Sequence, residues 1–412
     1  MDIDISNDYI NHEMKIMQYI IRLSLYMYLL VDTIAGILIS RHLPNIGQVY
    51  KILVVLLMLI YVISKKRNLS VLVSFLFSLM FIIPLNFIFS DFANFSQSIM
   101  ILFKSISIFI FYEFFQSELD ENEIDRIFMV NYIVFILNII AGRLGFARGT
   151  YSFGEESVGT TGFFYAGNEV TFTFICLTFW FLIRTNIKKS IKYIVSVLLS
   201  VMIGTKAGML GVLLIVFCDM YYSAKPRNRP KILLFSICLM TALVFLVYTF
   251  LQDNSLYRLI AFKLKQHSRG NMPILNALLS GRIERLPVIN EIYEQNFSAA
   301  TFVLGMGFPL SIKRIEMDFF EYFYYFGFLA FILICLFYIN ILYISWKKNN
   351  KRQFWFNVIC IVISFLAGHI VYSVMGGVFF AMINAKSYKE EMSIKNGKSF
   401  LNKVLYILLK TN

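Results

Sequence analysis

The chain has 412 residues and a formal net charge of +13, yet only 15% of its residues are charged and 58% are hydrophobic. A soluble domain carries about 25% charged residues, so this composition, with a mean hydropathy of +0.68, excludes an ordinary soluble protein. The five cysteines all lie within apolar runs, which excludes a disulfide framework and a cysteine metal site.

Apolar runs of about 20 residues recur along the chain, and a run of that length can cross ~30 Å of hydrocarbon. They predict an all-α, polytopic integral membrane protein with about twelve crossings of the lipid bilayer. The crossings with the weakest support are the two short runs that meet at Gly204-Thr205-Lys206 and the last run, whose first residues include Met375. These could be broken or re-entrant helices. The runs lie near residues 19–40, 47–64, 69–90, 97–115, 127–142, 166–183, 191–204, 206–223, 232–251, 319–345, 354–372 and 374–385.

The positions of Lys and Arg between the runs predict the orientation, because basic residues are retained on the cytoplasmic side. If the gap after each run takes the number of that run, every basic cluster falls in an even-numbered gap. Even-numbered gaps lie on the same side as the amino terminus, so both termini are predicted to be cytoplasmic. The odd-numbered gaps are poor in basic residues, apart from Arg41, Arg143, Arg148, Lys206 and one long segment. The clusters lie at residues 65–67, 184–192, 225–231 and 347–352 and in the lysine-rich tail after residue 385.

The long segment, residues 252–318, is basic although the count of crossings places it outside. Loops longer than about 60 residues largely escape the charge rule, so the topology holds. Within this loop, IERLPVINEIYEQN has the apolar spacing of a helix. A second outside stretch, 143–169, predicts an ordered loop near it. The chain thus divides into helices one to nine (1–251), the large extracytoplasmic loop (252–318), helices ten to twelve (319–385) and a basic cytoplasmic tail (386–412).

The large loop contains the residues best suited to chemistry. Arg282 and Arg285 are three residues apart, hence on one face if the segment is helical, and guanidinium groups bind phosphate oxygens bidentately. A sterically open Gly-Met-Gly turn at 305–307 follows, and then Glu316 and Asp318 just before a crossing. The alternative is that the arginines bind lipid head groups and that the carboxylates only neutralise them.

Lys206 lies at the break between two short runs, outside by the same count. An ionisable group at such a break is a candidate functional residue. The alternative is a lysine whose side chain reaches the membrane interface. Neither a P-loop nor a His-Glu-x-x-His metal motif occurs in the sequence, so ATP-driven transport and a histidine metal site are disfavoured.

These pieces resemble the O-antigen ligase and O-antigen polymerase (Wzy-type) superfamily of membrane polysaccharide enzymes, from about Leu137 onward. IGTKAGMLGVLL is similar to the family's Thr-Gly-Ser-Arg-x-x-x-Leu break, with Lys206 where an arginine is common. LLSGRIERLPVINE is similar to its Ser-Gly-Arg segment, which puts Arg282 at a functional arginine position. LGMGF and IEMDFFEYFYYFGFLAF resemble its Gly-x-Gly turn, its polar pair and its helix with Glu-x-Gly.

The resemblance implies glycan transfer from one undecaprenyl-pyrophosphate carrier to a sugar hydroxyl on another. It implies neither metal nor cofactor, because the pyrophosphate is already an activated leaving group. Lys206, Arg282 and Arg285 would bind the pyrophosphate and stabilise its developing charge. Glu316 is the first choice for the base that accepts the hydroxyl proton, and Asp318 is the second.

The same resemblance places the protein in the bacterial cytoplasmic membrane, with its site facing outside. There it would polymerise repeat units into capsule, O-antigen or exopolysaccharide. Its partners would be the lipid-linked oligosaccharides, a chain-length regulator and a flippase, and nucleic acid would not be among them.

Two alternatives stay open. A ligase would transfer finished glycan to a lipid, peptidoglycan or protein acceptor; counting back from Gly327, however, Glu316 stands where that branch has a histidine, which favours the polymerase. A polysaccharide flippase or secondary transporter would also fit twelve crossings. It would have to use Asp32, Lys104 and Glu113, which we interpret as helix-packing or interfacial groups, and the two halves of the chain look unlike.

Overall fold

The structure, a computed structural model, describes residues 2–65, 92–153, 156–234, 281–308, 314–368 and 373–392, together with Leu279 and Ile370. The crossing predicted at 69–90 lies outside these residues. So do most of the crossing predicted at 232–251, the first part of the large loop and the end of the basic tail.

The described residues are mostly helical, as expected where hydrocarbon offers no hydrogen-bond partners and a helix satisfies its own backbone. The helices are α1 (Asp2–Tyr26), α2 (Tyr28–Ser40), α3 (Ile46–Ser64), α4 (Phe92–Glu118), α5 (Glu121–Arg143), α6 (Gly167–Arg184), α7 (Lys189–Ile203), α8 (Lys206–Ser223), α9 (Arg285–Gln295), α10 (Ala299–Leu304), α11 (Asp318–Lys347), α12 (Lys351–Ala367) and α13 (Val374–Met392), with a 3-10 turn at Pro226–Asn228.

Five of the described helices are long and apolar enough to cross a membrane: α3, the Ile99–Gln116 part of α4, α5, α8 and α11. The part of α1 from His12 onward and α2 are bent by 59° and form one further candidate span. Helices α6, α7, α12 and α13 also lie where the sequence predicts crossings. The helical membrane architecture is confirmed, while the twelve crossings and the two cytoplasmic termini stay predictions.

One element departs from the all-α prediction. The stretch 143–169, expected to be an ordered loop, contains an antiparallel hairpin of β1 (Arg148–Phe153) and β2 (Glu156–Gly162). Its glycines permit close packing on neighbouring helices. At Gly162 (φ +63°), for example, an added Cβ would lie 1.9 Å from the Asn138 side-chain oxygen of α5. Such contacts depend on tertiary structure, so the local sequence pattern did not predict them.

The break predicted between the two short runs is present. Helix α7 ends at Gly204 in a left-handed conformation (φ +72°), and α8 begins at Lys206 after the capping residue Thr205. The hairpin lies against this break, because Thr150 Oγ1 donates a 2.6 Å hydrogen bond to the carbonyl of Ile203. Lys206 therefore starts a helix close to an ordered β-hairpin.

Helix α13 is buried from Val374 to Phe380 and packs against α4 and α6. Gly376 allows the close approach, since an added Cβ there would lie 2.4 Å from the ring of Phe172. Phe380 is fully buried, with its ring 5.8 Å from that of Phe172. Because α13 also contacts α11, and α11 packs on α12, this helix connects the first half of the bundle to the helices that carry the candidate site.

The predicted topology can be tested by cysteine labelling in a variant that lacks the native cysteines. Gln295→Cys, exposed at the end of α9, should react with a membrane-impermeant maleimide in intact cells, because the large loop is predicted to be outside. Lys188→Cys, exposed before α7 in a basic gap, is the matched control and should react only after the cells are opened. The reverse pattern would place the loop in the cytoplasm.

Candidate active site

A short amphipathic helix is present where the apolar spacing predicts it, but only one of the two predicted arginines lies on it. Arg285 is the first residue of α9, and Arg282 lies in the turn that leads into it. Ile289 and Tyr293 are buried on the inner face of α9, and the Tyr293 ring packs 5.3 Å from that of Tyr324 in α11. Burial also raises the pKa of the Tyr293 hydroxyl, so this side chain stays neutral. Packing on α11 thus fixes where the arginines lie.

The guanidinium groups of Arg282 and Arg285 converge on the carboxylate of Glu316. Arg282 Nη2 lies 3.1 Å from Glu316 Oε2, and Arg285 Nη1 lies 3.5 Å from Glu316 Oε1. The three side chains are 12%, 18% and 27% exposed, in that order. This arginine cluster, formed by Arg282, Arg285 and Glu316, is accessible but partly shielded, so its charges interact at a lower effective dielectric constant than in water.

Glu316 has an unfavourable backbone conformation. Its φ of +60° lies in the left-handed region, which costs a residue other than glycine about 1–3 kcal/mol and persists only where the surroundings enforce it. Two contacts do so here. The Glu316 N–H donates to Glu321 Oε1 at 2.8 Å, and Gly368 lies so close that an added Cβ would be 2.3 Å from the Glu316 carbonyl oxygen. Such strain is typical of functional sites.

Arg314 and Glu321 contact the residues of the cluster and hold them in place, and neither was predicted from the sequence to be part of the site. Arg314 Nη2 lies 2.6 Å from Glu321 Oε2 and Arg314 Nε lies 3.3 Å from Glu321 Oε1, while Glu321 is fully buried. The Arg314 carbonyl also accepts a hydrogen bond from Arg285. A carboxylate inside the apolar run FFEYFYYF was the signal that could have identified Glu321, because ionisable groups in membrane helices are usually functional.

The Gly-Met-Gly turn at 305–307 stabilises a break in α11. The helix is interrupted at Gly327 (φ +77°), which deprives the carbonyls of Tyr324 and Tyr325 of their helical partners. The N–H groups of residues 306 and 307 bind these two carbonyls at 3.0 and 3.1 Å. The turn and the helix glycine, which the resemblance treats as separate motifs, are therefore one structural unit that fixes the first turns of α11.

Asp318 lies apart from the cluster, although it is only two residues from Glu316. It is the first residue of α11 and is fully buried. Its Oδ2 accepts hydrogen bonds from Ser364 Oγ at 2.9 Å and from the N–H of Ile370 at 2.7 Å. These bonds attach the start of α11 to α12 and to the segment that follows it, so the geometry suits an anchor better than a base.

Asp318→Ala should lower the thermal stability of the purified protein markedly. The substitution would leave the Ser364 hydroxyl and the Ile370 N–H buried without this acceptor, and each lost partner costs about 1–3 kcal/mol. Thermal unfolding in detergent measures the effect. Glu316→Ala, at a partly exposed carboxylate, is the comparison and should lower the melting temperature less. An equal loss for both would contradict an anchoring role particular to Asp318.

Lys206 is exposed in the first turn of α8. Its neighbour Thr205 is joined to Thr171 of α6 by a 2.7 Å hydrogen bond between the two hydroxyls. The structure thus brings together Arg282, Arg285 and Glu316, while Lys206 starts α8, a helix that packs on α6, α7 and α12. Its predicted role in binding pyrophosphate stays a prediction.

Comparison with known proteins concerns the segment that holds this site. Residues 261–388 match the family described as O-antigen ligase like membrane protein. The matched segment contains the arginine cluster, its support from Arg314 and Glu321, and the Gly-Met-Gly turn. No curated protein matches the chain. The family match confirms the resemblance to the O-antigen ligase-like superfamily and points to membrane polysaccharide biosynthesis by glycosyl transfer.

Proposed function

We propose that the chain polymerises undecaprenyl-pyrophosphate-linked oligosaccharide repeat units into a surface polysaccharide. The observation that carries this proposal is the convergence of Arg282 and Arg285 on one partly exposed carboxylate. Two guanidinium groups that bind a carboxylate can also bind a phosphate. Carboxylate and phosphate are both anions whose oxygens accept paired hydrogen bonds from guanidinium N–H groups. The family match covers these residues and supports a membrane enzyme of glycosyl transfer.

The arginines act on the charge that develops in the reaction. As the bond between the anomeric carbon and the pyrophosphate oxygen breaks, negative charge builds up on the pyrophosphate, which leaves on its lipid carrier. Arg282 and Arg285 are fixed before the substrate arrives, and a preorganised donor of this kind contributes about 3 kcal/mol to the transition state. The pyrophosphate needs no further activation, so the reaction requires neither a metal nor a nucleotide.

Glu316 acts as the base. The acceptor hydroxyl attacks the anomeric carbon, the new glycosidic bond forms, and the hydroxyl proton passes to the Glu316 carboxylate. The incoming pyrophosphate competes with Glu316 for the guanidinium groups, so its binding frees the carboxylate for this task. The support from Glu321 and Gly368 keeps the Glu316 backbone in place while the side chain changes partners.

The remaining features of the proposal rest on the predicted topology and on the family resemblance. The site faces the outside of the bacterial cytoplasmic membrane, where lipid-linked repeat units arrive after a flippase has moved them across. Lys206 contributes a further positive charge to the pyrophosphate. A chain-length regulator would act on the growing product.

The test is a reconstitution. Purified protein in lipid, given undecaprenyl-pyrophosphate repeat units, should form a ladder of products on a gel, and the ladder should persist in EDTA. The alternative within the family is a ligase, which would make a single transfer to an added acceptor and no ladder. Substrate that only crosses the bilayer unchanged would indicate a flippase, and loss of the ladder in EDTA would refute the metal-independent mechanism.

A further inference from the structure

A cavity of about 550 Å³ extends to Arg314, the residue that pairs with Glu321, and its volume is within the range of roughly 300–1,000 Å³ that is usual for small-molecule sites. Its walls come from α2 between Asp32 and Ile39, from the first turns of α3, α6 and α13, and from residues 100–104 near the middle of α4. The charge pattern predicts that the ends of α2, α3, α6 and α13 at this cavity face outside, on the same side as the large loop. The cavity therefore opens where lipid-linked glycans are expected.

Two ion pairs between helices line this cavity. Lys51 Nζ lies 2.8 Å from Asp32 Oδ2, and Lys104 Nζ lies 3.1 Å from Glu169 Oε1. Mostly buried ion pairs seldom add much stability, because the cost of removing two charges from water offsets their attraction. Ionisable groups inside a membrane bundle usually mark a functional site. Asp32 and Lys104, interpreted from the sequence as helix-packing or interfacial groups, therefore belong to two polar patches on the wall of a cavity that is otherwise largely apolar.

Arg314 connects the cavity to the arginine cluster. Arg314 lines the cavity and donates hydrogen bonds to Glu321 from two nitrogens, and its backbone carbonyl accepts a hydrogen bond from Arg285. Glu321 in turn holds the N–H of Glu316. A molecule that fills the cavity thus ends within a few side chains of the proposed base.

The chemistry of the walls matches sugars. Carboxylates, ammonium groups and the amides of Gln48 and Asn168 provide both donors and acceptors, as hydroxyl groups require. Tyr165, 69% exposed at the rim, offers an aromatic face for a sugar ring, and the Arg148 guanidinium lies 5.4 Å from its centre. The carboxylates of the two ion pairs balance their lysines, whereas a phosphate site would present unbalanced positive charge.

We propose that this cavity binds the sugar residues of a lipid-linked glycan and presents them to Glu316. The inference rests on the proposed function and adds to it a site for the glycan, separate from the pyrophosphate site at the arginines. The glycan could belong to the acceptor or to the donor, and both would use the same hydroxyl chemistry.

Gly167 offers a test that leaves the ion pairs intact. It lines the cavity at the start of α6, and an added Cβ would meet only Thr161 Cγ2, at 3.7 Å. Gly167→Ala should therefore fold and behave as the wild type, while Gly167→Trp should fill the cavity. Tyr165→Ala, at an exposed position, is a second variant in case the larger substitution disturbs folding.

The probes are a fluorescent repeat-unit oligosaccharide released from its carrier and undecaprenyl pyrophosphate without sugar, each bound to full-length protein in lipid. Gly167→Trp should weaken oligosaccharide binding at least tenfold, and Tyr165→Ala about three- to tenfold, as expected for an aromatic contact. Neither should change binding of the carrier. Unchanged oligosaccharide affinity in both variants would overturn the inference, and so would an equal loss for the carrier.

A kinetic experiment shows whether the glycan in the cavity belongs to the acceptor or to the donor. If the wild type elongates the free oligosaccharide and Gly167→Trp raises its KM, the cavity holds the acceptor; if the oligosaccharide only inhibits competitively, the cavity holds the donor glycan. Failure of the wild-type enzyme to form any ladder would instead refute the proposed function, so the two failures can be told apart.

Discussion

Arg282→Ala should reduce the rate of polymer formation by about 10²- to 10³-fold, because one preorganised donor to a developing charge is worth about 3 kcal/mol. Arg282 makes the shorter of the two arginine contacts to Glu316, at 3.1 Å, so its removal also leaves the carboxylate with only Arg285 from the cluster, at 3.5 Å. The measurement is the initial rate of glycan transfer by purified protein in lipid, at matched amounts of inserted protein.

Arg143→Ala is the matched control for this variant. Arg143 is exposed at the last residue of α5 and is not part of the cluster, so we expect a rate close to that of the wild type. Arg282→Lys should fall between the two, since lysine keeps the charge but cannot bind in the forked geometry of a guanidinium. A wild-type rate for Arg282→Ala would remove this residue from the mechanism.

Glu316→Gln should lower kcat by about 10²- to 10⁴-fold, the usual contribution of a general base. Glutamine keeps the shape of the side chain but cannot accept the proton. It also carries no charge, so Arg282 and Arg285 would be less neutralised and KM should stay constant or fall. The loss should thus appear as a lower kcat without a higher KM, which separates a base from a residue that only helps to bind substrate.

Asp318→Asn is the comparison that distinguishes the two predicted bases. Asparagine retains an oxygen that can accept from Ser364 and Ile370, so the folded protein should keep most of its kcat. Loss of kcat in Asp318→Asn with normal kcat in Glu316→Gln would reverse the assignment. Full activity in both variants would mean that neither carboxylate accepts the proton.

The sequence predicted the parts of the site that depend on local patterns. The spacing of apolar residues predicted α9. Arg282, Arg285 and Glu316 were predicted because guanidinium groups bind phosphate and carboxylates accept protons, and the structure brings these three side chains together. The burial of Asp318 could not be predicted, because it depends on Ser364 and Ile370, 46 and 52 residues further along the chain. The sequence ranks Glu316 before Asp318 as the base, but it does not show that one carboxylate is partly exposed and the other fully buried.

The same limit applies to the support of the cluster and to the cavity. In the sequence, Arg314 is one of several basic residues in the loop. Its ion pair with Glu321 forms because α11 begins at Asp318 and buries Glu321 in its first turn, which the sequence alone does not show. The cavity joins segments that are more than 300 residues apart in sequence, from Asp32 to Met375. A local sequence pattern cannot predict such long-range contacts. The β-hairpin at 148–162 was not predicted for the same reason.

The affinity of the protein for undecaprenyl pyrophosphate tests the central claim, that the arginine cluster is a pyrophosphate site. It should be measured in lipid nanodiscs for the wild type and for the Arg282→Ala/Arg285→Ala double variant. Two lost charge-assisted hydrogen-bonding partners, at about 1.5–3 kcal/mol each, predict an affinity at least 10²-fold lower. Equal affinity in the wild type and the folded double variant would contradict the account.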